Sequence, residues 1–392
     1  MLAGMIDSLF INTPAPLLGG LTPTQFMHRY WQKKPLVVRD AVPDLTPVLT
    51  RTALFDLAAS EAAESRLVWR ERGQWNLRHG PFKRLPPVTR SNWTLLVQGV
   101  DLHNSAAREL LERFRFVPDA RLDDLMISYA TDGGGVGPHF DSYDVFLLQV
   151  EGSRRWRIGQ QKDRTLIAGL PVKILAQFEP EQEYLMGPGD LLYLPPGWAH
   201  DGVAEGECVT YSVGFRQPAR AELARELLLR LADDCCTLMP EKTYRDPQQS
   251  AMAQPGAIPP AMVEFARQAL EQALTVLVKN QGLLQYLGEV LTEPKPTVWF
   301  DTSGEAGNDG QDDELRLDLK TRMLYGDKGG GRRGMLVFIN GESFRAAGAD
   351  AVLMRRLADR RVLTAAECKR LSADARTLLN QWREAGWLHG RG

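Results

Sequence analysis

The amino-acid sequence predicts an α+β protein: a strand-rich sandwich or barrel, then amphipathic helices, then a small module of strands and helices. Three observations carry this. Short β-branched and aromatic runs broken by Gly and Pro crowd residues 1–217. Apolar residues then change to spacings of three and four between 218 and 292. Beyond 293, strand-like and helix-like runs return after a polar linker. The 392 residues suit two or three such domains at roughly 150 residues each.

In chain order, Thr22 caps a short lead-in helix with Pro23 at its first position. LVVRD, SRLVWRE, QWNLRHG, DLMISYA, YDVFLLQV, RRWRIG, DLLYLPPG and CVTYSVGFR read as strands. AELARELLLRLADD and MVEFARQALEQALTVLVK are helices with broad apolar faces, joined by a Pro-rich loop around Pro255 to Pro260. Such faces must be covered, and a helical homodimer interface is the expectation. The linker is TEPKPT followed by SGEAGNDGQDDE. LRLDLKTRMLY and MLVFINGES then read as strands around a mobile GDKGGGRRG loop, and AVLMRRLADRRVLT and ECKRLSADARTLLNQWREAG as helices. Strands with a helix pair of this size resemble a winged-helix module. Basic and acidic residues are interspersed there, so direct DNA binding is not expected.

Composition excludes several classes. A formal charge of −2 is far from the basic balance of a nucleic-acid coat. No apolar run reaches the ~18 residues of a membrane span, and the first twenty residues lack the basic start of a signal peptide. Cys208, Cys235, Cys236 and Cys368 show no C-x-x-C spacing and are too few for a disulfide framework. They read as buried or half-buried thiols in a reducing, cytoplasmic compartment.

The chemistry concentrates in two Gly/Pro-framed corners. GGGVGPHFD ends in His139 and Asp141, which share one face if the segment enters a strand. GPGDLLYLPPGWAH ends in His200, presented by a Pro-Pro-Gly corner. Two imidazoles and one carboxylate form a facial triad that leaves coordination positions open and suits non-haem Fe(II). Zinc is disfavoured by the lack of H-E-x-x-H and of Cys ligands. His28, His79, His103 and His389 sit singly and read as structural.

A strand through GSRRWRIG puts Arg154, Trp156 and Ile158 on one face and Arg155 and Arg157 on the other. Trp156 and Ile158 mark the buried face, so Arg154 points a cation into an apolar interior, a position that demands an anionic partner. A ligand carboxylate satisfies the planar fork, as does a protein carboxylate from elsewhere. In CVTYSVGFR the apolar face is Val209, Tyr211, Val213 and Phe215. Thr210, Ser212 and Gly214 form a small polar face, turned either to a bound carboxylate or to solvent.

Taken together, HFD, the GSRRW that places Arg154 fifteen residues after His139, and PPGWAH resemble the JmjC branch of the cupin oxygenases. The order DDLMIS, GGGVGPHFDSYDVF, RRWRIG, GDLLYLPPG and YSVGFR is similar to the bacterial ribosomal oxygenases, and the likeness extends to YWQKKPLVV, SRLV, HGPF and NWTLLVQ. It covers nearly all of residues 20–217; the rest matches in arrangement more than in letters. The resemblance implies a double-stranded β-helix of JmjC type, a helical dimerisation region and a winged-helix-like end. It also implies His139, Asp141 and His200 as iron ligands and Arg154 on the distal carboxylate of the cosubstrate 2-oxoglutarate. Ser212 would lie near that cosubstrate. Thr210 stands where the best-known member of that group has Asn, a departure from the pattern at this position. The activity implied is O₂-dependent hydroxylation of a large-subunit ribosomal protein at an arginine β-carbon. The same chemistry on another residue or protein, and a non-catalytic metal-binding scaffold, are the alternatives; a scaffold has no need of Arg154.

Overall fold

A computed structural model of the chain describes residues 10–279, 282–302, 314–326 and 334–391. The chain start, most of the acidic linker and most of the Gly-rich loop expected to be mobile lie outside the described residues. The chain divides into two units, one of Met1–Gln217 with Pro296–Trp299, the other of Pro218–Lys295 with Phe300–Gly392. Apart from Pro296–Trp299, residues 218–292 and 293–392, distinct in sequence texture, thus fall in the second unit.

The first unit opens with α1 (Pro23–Arg29), where Thr22 and Gln25 form a reciprocal capping box and Pro23 takes the first turn. Then come β1 (Leu36–Val38), α2 (Arg51–Ala59), β2 (Ser65–Glu71), β3 (Gln74–His79), β4 (Trp93–Val97), α3 (Ser105–Glu112) and β5 (Leu122–Ala130). They are followed by β6 (His139–Phe140), β7 (Val145–Gln160), β8 (Gln182–Met186), β9 (Leu191–Leu194) and β10 (Trp198–Phe215). These form one ten-stranded sheet in the order β1-β9-β7-β10-β5-β4-β2-β3, with β6 on β10 and β8 on β7. The strands meeting β7 and β10 in this unit run antiparallel.

Alternation decides which side chains go where. Leu67, Leu95, Tyr129, Val209, Tyr211, Val213 and Phe215 enter the large core, which contains Phe26, Phe114, Phe146 and Tyr193 with ring centroids as close as 4.9 Å. The opposite face carries a smaller apolar cluster that includes Val145, Leu147, Trp156, Ile158, Met186, Leu192 and Leu194. Asp144, fully buried at the start of β7, accepts from the Tyr193 hydroxyl at 2.6 Å and Gln32 Nε2 at 3.0 Å, with Arg121 at 3.4 Å. That ties the corner just after Asp141 to the large core.

Two runs that read as separate strands, YDVFLLQV and RRWRIG, are both part of β7, and β10 extends CVTYSVGFR back through Ala204–Glu207 to Trp198. The polar breaks are an irregularity where the register shifts between Glu205 and Val209. Gly152 sits there at φ +63°, and a Cβ on it would fall 2.1 Å from the Glu207 carbonyl oxygen, so only glycine allows the close crossing.

In the second unit, α4 (Arg220–Leu238), α5 (Pro260–Lys279) and α6 (Gly282–Thr292) pack Leu231, Ala273, Leu277 and Tyr286 together. They are followed by β11 (Glu314–Leu317), β12 (Met323–Gly326), β13 (Met335–Ile339), β14 (Glu342–Ala346), α7 (Gly348–Arg360), β15 (Val362–Leu363), α8 (Ala365–Cys368), α9 (Ala373–Glu384) and β16 (Leu388–Arg391). The strands form two three-stranded sheets, β15-β11-β16 and β12-β13-β14, over a core that includes Leu353, Leu357, Leu379 and Trp382. No helix among the described residues is long and apolar enough to cross a membrane.

Candidate active site

β6 is only two residues long, and its pairing with the start of β10 sets His139 directly opposite His200. Their ring centroids lie 4.2 Å apart. Asp141 follows β6 and is fixed by its carbonyl, which accepts the Gly197 N–H of the Pro-Pro-Gly corner at 2.8 Å. The Asp141 carboxylate stands 4.0 Å from His139 Nε2 and 3.7 Å from His200 Nε2. One donor atom from each residue lies within 4.8 Å of the others.

The imidazoles are oriented by what their other nitrogens do. Nδ1 of His139 meets the Gly137 carbonyl at 2.8 Å, and Nδ1 of His200 meets the Trp198 carbonyl at 3.1 Å. A carbonyl only accepts, so both Nδ1 atoms carry the hydrogen, and both Nε2 lone pairs turn toward Asp141. Burial, then the neighbouring His139, push His200 down to about 4, which keeps it a neutral ligand at physiological pH. Two neutral imidazole nitrogens and a carboxylate oxygen fit a divalent ion of the facial-triad kind.

Arg154 shares this face. It is 5% exposed, and its guanidinium lies over Trp156, 5.7 Å from the ring centroid. Trp156 in turn lies 5.8 Å from His200, ring to ring. Among the described residues, Arg154 Nη1 meets Ser128 Oγ at 3.3 Å, while Nε and Nη2 are buried with no hydrogen-bond partner. Arg155, by contrast, pairs with Glu183 and Glu205 on the other face, and Arg157 with Asp201. A buried guanidinium with two idle donors beside a metal-ligand cluster fits the far carboxylate of a dicarboxylate.

Thr210 and Ser212 also face this side and are buried, so the solvent-facing reading does not hold for either. Thr210 gives its hydroxyl proton to Gln149 Oε1 at 2.8 Å, which leaves it without a donor for a carboxylate. Ser212 stands in register with Met126 and Leu147. Sequence reasoning missed Ser128 and Gln149. Alternation along DLMISYA hides Ser128 among apolar neighbours, and only strand pairing brings it to Arg154.

The comparisons with known proteins agree with this geometry. A JmjC domain matches residues 109–223 and a ROXA-like winged helix residues 277–389. The chain is 36% identical over 276 residues to the ribosomal protein uL16 3-hydroxylase of Escherichia coli, covering 69% of this chain and 71% of that one. It is also similar to the X-ray structure of E. coli ycfD, with a TM-score of 0.77 at 29% identity over 95% of this chain and 98% of that one. E. coli YcfD, a ribosomal oxygenase, has been solved in complex with cobalt and 2-oxoglutarate; that structure matches with a TM-score of 0.74 at 29% identity over 95% and 99% of the two chains.

Proposed function

The chain belongs to the JmjC-domain ribosomal oxygenases, Fe(II)- and 2-oxoglutarate-dependent protein hydroxylases, and on that premise we propose that it hydroxylates the β-carbon of an arginine in a large-subunit ribosomal protein of the uL16 type. The observation that carries this reading is Arg154, a buried cation with idle donors on the same face as His139, Asp141 and His200.

Iron and cosubstrate, when bound, supply the O₂-dependent oxidation that turns 2-oxoglutarate into succinate and CO₂ and places one oxygen atom on the substrate carbon. The protein's side chains do the rest. His139, Asp141 and His200 hold the metal on one side, and the Nδ1 hydrogen bonds keep both rings aimed. Arg154 takes the distal carboxylate and thereby sets the cosubstrate's direction. Trp156 walls the site beside His200, where a dry environment protects a reactive centre from water. An arginine target is supported by Asp124, 6% exposed on β5, which lies with Tyr143 beside Gly214 on this face.

We further read the chain as a cytoplasmic homodimer. Val263, Leu270, Leu274 and Val278 of α5 are exposed along the helix, and a second copy is the occupant expected from the sequence. Leu270→Glu with Leu274→Glu is expected to halve the mass in light scattering; an unchanged mass removes α5 from the interface.

The deciding experiment incubates unmodified large-subunit ribosomal proteins with the enzyme, Fe(II), ascorbate and 2-oxoglutarate in air. A single-oxygen gain on one arginine that vanishes in His139→Ala supports the whole reading. Substrate-independent succinate alone moves the search to another target. Neither product, with iron bound, favours the scaffold.

A further inference from the structure

Residues 65–90 hold seven Lys and Arg against the single acid Glu71, while the whole chain carries 47 basic and 49 acidic side chains. The total charge of −2 therefore averages away one concentrated positive segment. That segment folds as the β2–β3 hairpin and the loop after it, and β3 ends the strand order of the ten-stranded sheet.

Five of these cations, Arg70, Arg72, Arg78, Lys83 and Arg84, are exposed and make no ion pair among the described residues. The one nearby acid, Glu71, is taken by Arg90 at 3.4 Å. Rings and backbone hold the cations in place instead. Arg70 stands opposite Trp75 with its guanidinium 5.7 Å from that ring's centroid. Arg78 lies 5.1 Å over Phe82 and donates to the Arg84 carbonyl at 3.3 Å, which joins the loop to the hairpin. At the tip, Arg72 and Gly73 make the two-residue turn, with Arg72 at φ +49°. That left-handed region suits Asn or Gly, so a strained position carries a cation here. Charges on an edge strand also keep it from pairing with another sheet. Either sign serves that purpose, and it leaves Lys83 and Arg84, which lie beyond β3, without a reason.

A cluster of one sign, rich in arginine and interleaved with aromatic rings, matches the regularly spaced phosphates of a nucleic acid. A polypeptide that brings an arginine to the metal carries the wrong sign for it. The hairpin borders the catalytic corner, because a Cβ on Gly137, two residues before His139, would fall 3.0 Å from the Trp75 ring. We propose that the β2–β3 hairpin and the loop through Arg84 form a docking surface for the phosphate backbone of RNA, through which the enzyme engages a target that RNA accompanies. The choice of RNA as the polyanion rests on the ribosomal-protein reading above; the surface itself does not.

The test uses the full chain and a fluorescein-labelled RNA hairpin with a stem of about 20 base pairs, followed by fluorescence anisotropy over a range of KCl concentrations. The unsubstituted enzyme is expected to bind with log K falling against log salt at a slope of about −4, the release expected of five phosphate contacts. The triple variant Arg72→Glu, Lys83→Glu, Arg84→Glu is expected to lose about 30-fold or more in affinity at low salt and to flatten the slope by about 3. A control triple with the same charge change at other exposed cations, Arg29→Glu, Lys34→Glu, Arg113→Glu, keeps the affinity within about threefold. Substrate-independent succinate production stays within about twofold in both triples, which shows that the site has folded. No RNA binding by the unsubstituted enzyme, unchanged binding in the first triple, or an equal loss in the control overturns the proposal. Poly-L-glutamate of equal total charge binding more tightly than the RNA overturns it too, and assigns the surface to an acidic polypeptide. If RNA binds through this surface and no ribosomal protein is hydroxylated, the substrate reading fails and the docking surface stands.

Discussion

Arg154→Met is expected to stabilise the ligand-free protein while weakening its hold on 2-oxoglutarate. Arg154 is 5% exposed, with Nε and Nη2 unpartnered among the described residues and Nη1 reaching Ser128 at a long 3.3 Å. A buried donor without a partner costs about 1–3 kcal/mol, so two such donors cost about 2–6 kcal/mol. The Trp156 face returns about 1–2 kcal/mol of that. Methionine has a similar length and no donors, and its substitution should release about 2 kcal/mol. For a unit of this size that raises Tm by about 4–8 °C. With cosubstrate the balance reverses, because the carboxylate then pairs with the cation, and losing one partner of a desolvated charge pair costs about 3 kcal/mol, or about 10²-fold in affinity. Thermal unfolding without metal or cosubstrate gives the first number. Calorimetric titration of 2-oxoglutarate into the Mn(II)-loaded protein gives the second. A lower Tm together with unchanged 2-oxoglutarate affinity would show that Arg154 is a structural cation and refute the argument.

Three further outcomes follow from single contacts. Gly202→Ala places a Cβ 2.6 Å from the Trp156 ring, so the ring must move away from His200; metal affinity should fall, and an unaltered metal Kd would show that Trp156 does not wall the site. Thr210→Val leaves Gln149 Oε1 without its donor and should lower stability by about 1–3 kcal/mol in chemical denaturation. The 2-oxoglutarate KM should change less than about threefold, because the lost proton was never available to a carboxylate, and a large rise would put Thr210 on the cosubstrate. Hydrogen bonds from Arg267 and then Gln268 hold the Glu264 carboxyl at about 2. A carboxyl lowered in the folded state stabilises above its unfolded value and loses that contribution as pH falls through about 2. The Glu264 side-chain carbon resonance should therefore titrate near 2, and a midpoint in the ordinary carboxylate range would show that the pairing on α5 does not persist in solution.

Much of this protein is determined locally. Period-two alternation assigned Arg154, Trp156 and Ile158 to one face and Val209, Tyr211, Val213 and Phe215 to another, because alternation is a property of each strand by itself. The capping box at Thr22 and the Gly/Pro frames around His139 and His200 are likewise written in consecutive residues. WTLLV, HF and QEYLM did not read as strands from pattern alone: WTLLV is buried throughout and does not alternate, HF is too short for a pattern, and QEYLM carries one apolar pair. The continuity of β7 and β10 through polar, Gly-bearing breaks was equally invisible, since only the crossing at Gly152 shows why glycine there extends a strand instead of ending it.

The tertiary structure alone decided the pairings. Ser128 meets Arg154 across 26 residues of sequence, and Gln149 takes the Thr210 hydroxyl across 61. The sequence by itself determined which residues could do the chemistry, since residue type and spacing follow from covalent order. Which hydroxyl stays free, and which cation lacks a partner, depends on strands far apart in the chain and was settled only when the sheet set their register.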